Sequence, residues 1–213
     1  MKKMWSIAAD APLQSVLDSP ECPSLFRQAL TGALSWQTRN QTPVGRALRS
    51  SQIAPQWVAA LLALGATVTV EGKEMPLEMA LQQQERDLST VHIPLPHGEG
   101  MKWGEAHVAR TPADDPIVAV VAVVEMDSSV VQQARVALTG VWPEAIRLAE
   151  APSRLVGGPL DKSSIREAAA AVEEEIAPEG DFRGSAEYRR AMAGVLTRRA
   201  LEACLRQEVE NGQ

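Results

Sequence analysis

The sequence predicts an α+β fold in two parts, residues 1–98 and 99–213, and three features of its second half carry that prediction. The first is the apolar run Ile117-Val118-Ala119-Val120-Val121-Ala122-Val123-Val124, whose β-branched content favours a buried strand over a helix. The second is its return. Asp127-Ser128-Ser129 supplies turn chemistry, and Val130 to Val141 reads as an antiparallel partner ending at Gly140. The third is order: helical segments opening near Ser164 and Ser185 follow the strands, as in a small layer of strands backed by helices.

The elements of the first part follow from local chemistry. Ser6-Ile7-Ala8-Ala9 reads as a short strand, and helical pieces begin at Pro12 and at Pro23-Ser24, where a missing N–H costs nothing. Leu25, Phe26, Ala29, Leu30 and Ala33 place one apolar face on the second piece. Trp57 to Leu64 reads as another apolar helix, stopped by Gly65. Thr67-Val68-Thr69-Val70 alternates as a strand, turns at Glu71-Gly72-Lys73, and is matched by a strand over roughly Ser89 to Pro94. Pro94, Pro96, Gly98 and Gly100 break both helical and ladder pairing, so the boundary falls near residue 98.

In the second part, Ser164-Ile165-Arg166-Glu167 has the capping-box pattern. Ile165, Ala168, Ala169, Val172 and Ile176 form its apolar stripe, and Pro178 with Gly180 stops it. Ser185 is the expected cap of the last helix, with Glu187 in its first turn and Tyr188, Met192, Val195, Leu196 and Ala203 facing inward.

Composition removes several classes of function. A formal net charge of -6 with dispersed basic residues gives no attraction to phosphate backbones, so nucleic acid is not an expected partner. No apolar run reaches the roughly 20 residues of a membrane span, and Met1 to Ser6 leads into too short an apolar patch for a signal peptide, so the expected location is the cytoplasm. The two cysteines, Cys22 and Cys204, are too few for an iron-sulfur cluster and read as free thiols. His92, His97 and His107 lack zinc-site spacing, and no metal is assigned. Nor does spacing offer a nucleophile with a base. The acidic run Glu173-Glu174-Glu175 reads as a solvated helix face.

The most specific text is Asp181-Phe182-Arg183-Gly184-Ser185-Ala186-Glu187-Tyr188-Arg189-Arg190 with the helical run to Leu201, preceded by Leu155-Val156-Gly157-Gly158-Pro159-Leu160. These segments resemble the C-terminal domain of the FAD-binding medium subunit of molybdenum hydroxylases, the group of carbon monoxide dehydrogenase and xanthine dehydrogenase. The resemblance implies that residues 99–213 form that domain and that residues 1–98 are a degenerate remnant of the second FAD-binding subdomain, of the PCMH type. It further implies that Trp36 to Gly45 is a vestigial flavin loop in which Arg39, Asn40, Thr42 and Gly45 are the remaining cofactor-binding positions.

Against the family's Arg-Asn-x-Gly-Thr-x-Gly-Gly-Asn, this loop keeps Arg39, Asn40 and Gly45 but has Thr42, Arg46 and Ala47 in or beside positions of glycine and asparagine. A diphosphate is held by closely approaching backbone N–H groups, which side chains obstruct. Gln52 and Gln56 stand where the family has aspartates, and Asp115-Pro116-Ile117 replaces an Asp-Tyr-Ala whose ring lies near the flavin. The resemblance leads to the expectation that the family's first flavin loop lacks a counterpart here, with only Met1 to Trp5 ahead of the alignable part. Loss of about four charge-assisted contacts at roughly 1.5 kcal/mol each is a deficit of about 6 kcal/mol, or about 10⁴ in affinity.

FAD is therefore the cofactor the resemblance implies, and its absence from the isolated chain is the expectation. The favoured role is an accessory or scaffold subunit of a molybdenum-hydroxylase-type oxidoreductase, partnered by iron-sulfur and molybdopterin subunits. Loss of a packed subdomain would leave an apolar face on residues 6–98 for a partner to cover. The competing roles are an electron-transfer subunit whose flavin site a separate chain completes, and a free-standing small-molecule-binding domain.

Overall fold

The computed structural model describes residues 3–50, 52–85, 87–95, 100–111, 114–143 and 145–211, with the backbone alone at 33 and 207–211. The chain separates into two compact units, Met1–Pro96 and His97–Gln213, each with its own antiparallel sheet. The expected boundary near residue 98 and His97 lie outside the described residues.

In the first unit, β1 (Met4–Ala8), β4 (Leu88–Pro94), β2 (Thr67–Val70) and β3 (Lys73–Pro76) lie in the order β1-β4-β2-β3. Alternation sends Trp5, Ile7, Val68, Val70, Val91 and Ile93 into the core. The β2–β3 turn has Glu71 at φ 47° and Gly72 at φ 78°, the paired positive angles of a two-residue hairpin that matches strand twist. Between β1 and β2 the chain forms α1 (Leu13–Asp18), α2 (Ser24–Ala33), α3 (Trp36–Gln41), α4 (Val44–Arg49) and α5 (Pro55–Leu64). A short α6 (Leu77–Gln82) joins β3 to β4.

Prolines precede α1, α2 and α4 at the cap position, since the fixed φ there opens a helix without sacrificing a bond. Leu25, Phe26, Ala29 and Leu30 are buried as their spacing predicts, while the side chain of Ala33 lies outside the described residues. Phe26 sits between Trp5 and Trp57, with ring centroids 6.5 and 6.2 Å away. Every residue of α5 from Gln56 to Leu64 is buried, and Gly65 ends it in the left-handed conformation at φ 74°.

The second unit is a meander, β5 (Met101–Val108), β6 (Val118–Asp127), β7 (Val130–Trp142) and β8 (Ala145–Ala149), followed by a 3-10 turn (Ala151–Leu155), α7 (Lys162–Glu175) and α8 (Ala186–Asn211). The α+β class holds, but with four strands ahead of the helices instead of two. β7 does not end at Gly140. It bends there at φ 76°, the register shifts between Leu138 and Trp142, and the strand runs on beside β8. α8 lies directly on β5, where a Cβ on Gly104 would come within 2.1 Å of the Ala200 carbonyl oxygen. Ile165, Ala168 and Val172 of α7 join Val120, Val124 and Leu138 of the sheet and Leu196 and Ala200 of α8 in one core.

Three expectations for the helices need correction. The capping box is real but sits three residues earlier. Asp161 is the cap, accepting from Ser163 and Ser164 amides at 2.7 and 2.9 Å while Ser164 Oγ accepts from Asp161 N at 3.0 Å. The inward face of α8 is Arg189, Ala193, Leu196, Thr197, Ala200, Leu201 and Cys204, leaving Tyr188 39% exposed and Val195 only half-buried. The helix has turned because Arg189, long and cationic, is drawn beneath the sheet end by carbonyl acceptors. Glu175 is not a free surface charge, for its carboxylate accepts from the Glu150 and Ala151 amides at 2.9–3.1 Å and caps the 3-10 turn.

Candidate functional site

The stretch expected to be a flavin loop is mostly helical. Ser35 caps α3 by accepting from Thr38 N at 3.1 Å, and Thr42-Pro43 breaks the chain briefly before α4. α3 buries none of its own side chains, so its hold on the unit comes from polar bonds.

Arg39 supplies the main one. Its Nε donates to Gln14 Oε1 at 2.8 Å, and its Nη1 donates to the carbonyls of Leu30 and Leu34, tying α3 to α1 and to the end of α2. Asn40 Nδ2 donates to the Trp36 carbonyl at 2.9 Å. Thr42 is buried, and its carbonyl accepts from Leu13 N at 2.9 Å. Gly45 lies in the first turn of α4, where an added Cβ would sit 3.2 Å from both Cβ and O of Ala9. The structure thus brings Thr42 and Gly45 to one helix start, and directs the polar groups of Arg39 and Asn40 toward the chain's own backbone.

The amides at that helix start decide its chemistry. Val44 N donates to Ala11 O at 2.8 Å, Gly45 N to Ala9 O at 2.7 Å, and Arg46 and Ala47 N both to Pro43 O at 3.0 and 3.1 Å. Pro43 has no amide to offer. Each backbone amide of that first turn is already bonded within the unit. Arg46 and Trp36 remain exposed, the latter at 67%. Gln52 is exposed and Gln56 buried, so neither restores a carboxylate. In the second unit, Asp115 is exposed and 3.7 Å from Arg183, and the ring position of the expected Asp-Tyr-Ala is taken by Pro116, which is half-buried.

Among the described residues, no group of three or more His, Cys, Asp and Glu side chains is arranged to hold a metal ion. His92 instead bridges strands, with Nδ1 2.9 Å from Ser6 Oγ and Nε2 2.8 Å from Thr69 Oγ1. Cys22 and Cys204 are both free and buried, and burial pushes the Cys204 thiol up to about 12. No helix among the described residues is long and apolar enough to cross a membrane.

The signature 181–190 proves to be a clamp. Arg189, 6% exposed, donates from Nη1 to Ile117 O at 2.9 Å and Gly140 O at 2.7 Å, and from Nη2 to Asp181 Oδ1 at 2.6 Å. Asp181 Oδ1 also accepts from Arg183 N at 2.9 Å and Gly184 N at 3.1 Å. Its hydrogen bond to Arg189, ahead of the two amides, holds the carboxyl below the usual carboxylate range. Sequence reasoning missed Arg189 as an anchor. The available signal was an arginine on the apolar face of α8, eight positions after an aspartate at a turn.

Residues 106–204, which hold most of this four-stranded meander and its two helices, match the CO dehydrogenase flavoprotein C-terminal domain. The chain belongs to the family of FAD-binding medium subunits of the molybdenum hydroxylases. It is 31% identical over 137 residues to the carbon monoxide dehydrogenase medium chain of Hydrogenophaga pseudoflava, a match covering 64% of this chain and 47% of that one. It is 30% identical over 194 residues to the protein YgfM of Escherichia coli strain K12, covering 89% of this chain and 69% of that one. The chain thus spans about half the length of the first of these relatives. Among solved structures, reconstituted CO dehydrogenase from Oligotropha carboxidovorans superposes with a TM-score of 0.81 at 26% identity, covering 95% of this chain and 75% of that one. The enzyme from Hydrogenophaga pseudoflava gives 0.83 at 23% identity, over 97% and 77%, a likeness of fold.

Proposed function

We propose that the chain is an accessory or scaffold subunit of a molybdenum-hydroxylase-type oxidoreductase and does not hold FAD unaided. The carrying observation is the closed first turn of α4, where Val44, Gly45, Arg46 and Ala47 amides are all bonded to chain carbonyls. Binding a diphosphate there would require these bonds to be exchanged, so the gain is only the difference between two sets of acceptors. The inward commitment of Arg39 points the same way, since its guanidinium already serves Gln14, Leu30 and Leu34. The partners in this reading are iron-sulfur and molybdopterin subunits in the cytoplasm. In this reading the first compact unit is the degenerate subdomain and the second the C-terminal domain.

The broad apolar face expected on the first unit has little support, for its exposed large apolar side chains among the described residues are Met4, Trp36 and Met79. Those three do not argue for a partner by themselves. The accessory reading rests on the amides instead.

One observation favours a second reading, in which FAD is seated only once another chain completes the site. Arg46 and Trp36 stand exposed beside α4 and α3, a cation and an aromatic plane that the unit leaves facing water. Purification of the isolated chain and of its native assembly, each followed by visible absorption and flavin quantitation after denaturation, separates the readings. The accessory role expects no flavin retained by this chain in either sample. Flavin bound to it in the assembly alone selects the second reading, and tight stoichiometric FAD in the isolated chain overturns both. A free-standing binding domain has less behind it, because the depression lined by Ala170, Glu173, Glu174 and Arg190 is open to solvent.

A further inference from the structure

The turn that Arg189 clamps carries a phenylalanine on its outer side. Phe182 is 80% exposed, more than any other large apolar side chain among the described residues. Its base is fixed on all sides. Asp181 and Gly184 exchange backbone bonds at 3.0 and 3.2 Å, Asp181 Oδ1 accepts from the Arg183 and Gly184 amides, and Arg189 holds Asp181 from below. An exposed ring on a braced turn loses little conformational freedom on being captured, which is the condition for an anchor side chain.

Two cations lie at this turn. Arg110 Nη2 donates to the Phe182 carbonyl at 3.5 Å, and the Arg183 guanidinium lies 5.6 Å from the ring centroid. The Asp181 carboxylate is occupied by Arg189. Arg183 has Asp115 3.7 Å away, but that carboxylate is 64% exposed, and such a pair is weak in water. Arg110 forms no ion pair among the described residues. The turn that bears the ring thus carries two guanidinium groups, Arg183 near the ring and Arg110 at the Phe182 carbonyl, on a chain whose net charge is -6. Tyr188, 39% exposed, has its ring beside Gly184 of the same turn. Phenylalanine, tyrosine and arginine are the residue types enriched at the centres of protein interfaces.

We infer that Phe182 is a docking anchor for another protein subunit, which receives the ring in an apolar pocket rimmed by carboxylates that meet Arg110 and Arg183. This rests on the reading of the chain as a subunit of an assembly and is independent of whether flavin is held.

The test places a photoreactive benzoylphenylalanine at position 182 of the tagged full chain, irradiates the native assembly, and maps the cross-link by mass spectrometry. The expected product joins position 182 to another subunit, at an apolar segment with Asp or Glu close by. Cross-linking to a second copy of this chain, or none in an intact assembly, overturns the inference. The subunit so identified, once purified, should bind Phe182→Ala and Arg183→Glu variants at least about tenfold more weakly than the unaltered chain. The Arg183→Glu deficit should shrink as salt is raised. Both substitutions are on the surface, and unchanged thermal midpoints separate lost docking from misfolding. Undiminished assembly of Phe182→Ala overturns the docking anchor alone, whereas a lone monomer in native extracts overturns the subunit reading together with it.

Discussion

Arg189 and Asp181 meet at 2.6 Å, and the same guanidinium also binds the carbonyls of Ile117 and Gly140, so one buried side chain joins α8, the turn before it, β7 and the residue that leads into β6. Replacing Arg189 by methionine keeps the aliphatic packing but leaves those carbonyls without this donor. At about 1–3 kcal/mol for each of the two buried carbonyls left unsatisfied, the expected loss is roughly 2–6 kcal/mol. Lysine should rescue only part of it, since an ammonium lacks the planar fork. Denaturant midpoints at constant slope would measure both, and a stability equal to that of the parent would refute the clamp.

Gly104 and Gly72 should respond differently to alanine. At Gly104 the new Cβ meets the Ala200 carbonyl oxygen at 2.1 Å and Ala203 Cβ at 2.8 Å, and backbone cannot swing aside. The cost should reach about 3 kcal/mol, the upper range for overpacking. At Gly72 nothing lies within 4 Å and only the φ of 78° resists, so about 1–2 kcal/mol is expected. Thermal melts of the two variants give the comparison, and equal losses would contradict the close approach of α8 to β5.

Asp161 and Asp181 both hold their protons less readily than free aspartate. For Asp161 the largest cause is the Ser164 amide, then that of Ser163; for Asp181 it is the Arg189 hydrogen bond. A carboxyl whose folded value is lowered adds stability above its unfolded value, about 3.9, and that stability disappears as pH falls through the lowered folded value. Asp161→Asn and Asp181→Asn should therefore flatten the loss of stability below about pH 4. Chemical denaturation across the acid range tests this, with an unchanged acid limb as the contrary result.

Glu105 works in the opposite sense. Burial raises its pKa, only partly offset by His107, and its Oε2 is buried without a hydrogen-bond partner. The folded state prefers the protonated acid, so ionisation removes stability as pH rises from the unfolded value, about 4.3, through the raised folded one. Glu105→Gln should be more stable than the parent at neutral pH and nearly equal to it in acid. A neutral-pH melt in which the variant is weaker would reject this account.

The Cys204 thiol, wholly buried on α8 and pushed up to about 12, should resist alkylation in the native protein and react once the chain is unfolded. Mass spectrometry after a timed iodoacetamide pulse gives the rate. Fast native labelling would mean that α8 opens locally far more often than its packing implies.

How much of this could be read in advance depends on the range of the interaction. Pro23 opening α2, Gly65 closing α5, and Glu71-Gly72 turning β2 into β3 all follow from restrictions on a few consecutive residues. The buried run of β6 announces itself by composition. β5 does not, since Lys102, Gly104, Glu105 and His107 are poor strand formers, and its extended form comes from pairing with β6. β8 is hidden in the same way behind the bend at Gly140. The sequence offers the candidate site as a set of family positions, Arg39, Asn40 and Gly45 kept and Thr42 altered, but gives no sign of the short helices α3 and α4 that carry them.

The amino-acid order alone therefore determined the α+β character, the family, the principal turns and the starts of α1, α2 and α8, because each depends on local torsional limits or on a contiguous pattern. Tertiary structure decided which side of α8 faces inward, which carboxylates serve as caps, and which carbonyls take the amides of Val44 and Gly45. Those outcomes are competitions among donors and acceptors far apart in the chain, and only folding brings the competitors within a hydrogen bond of one another.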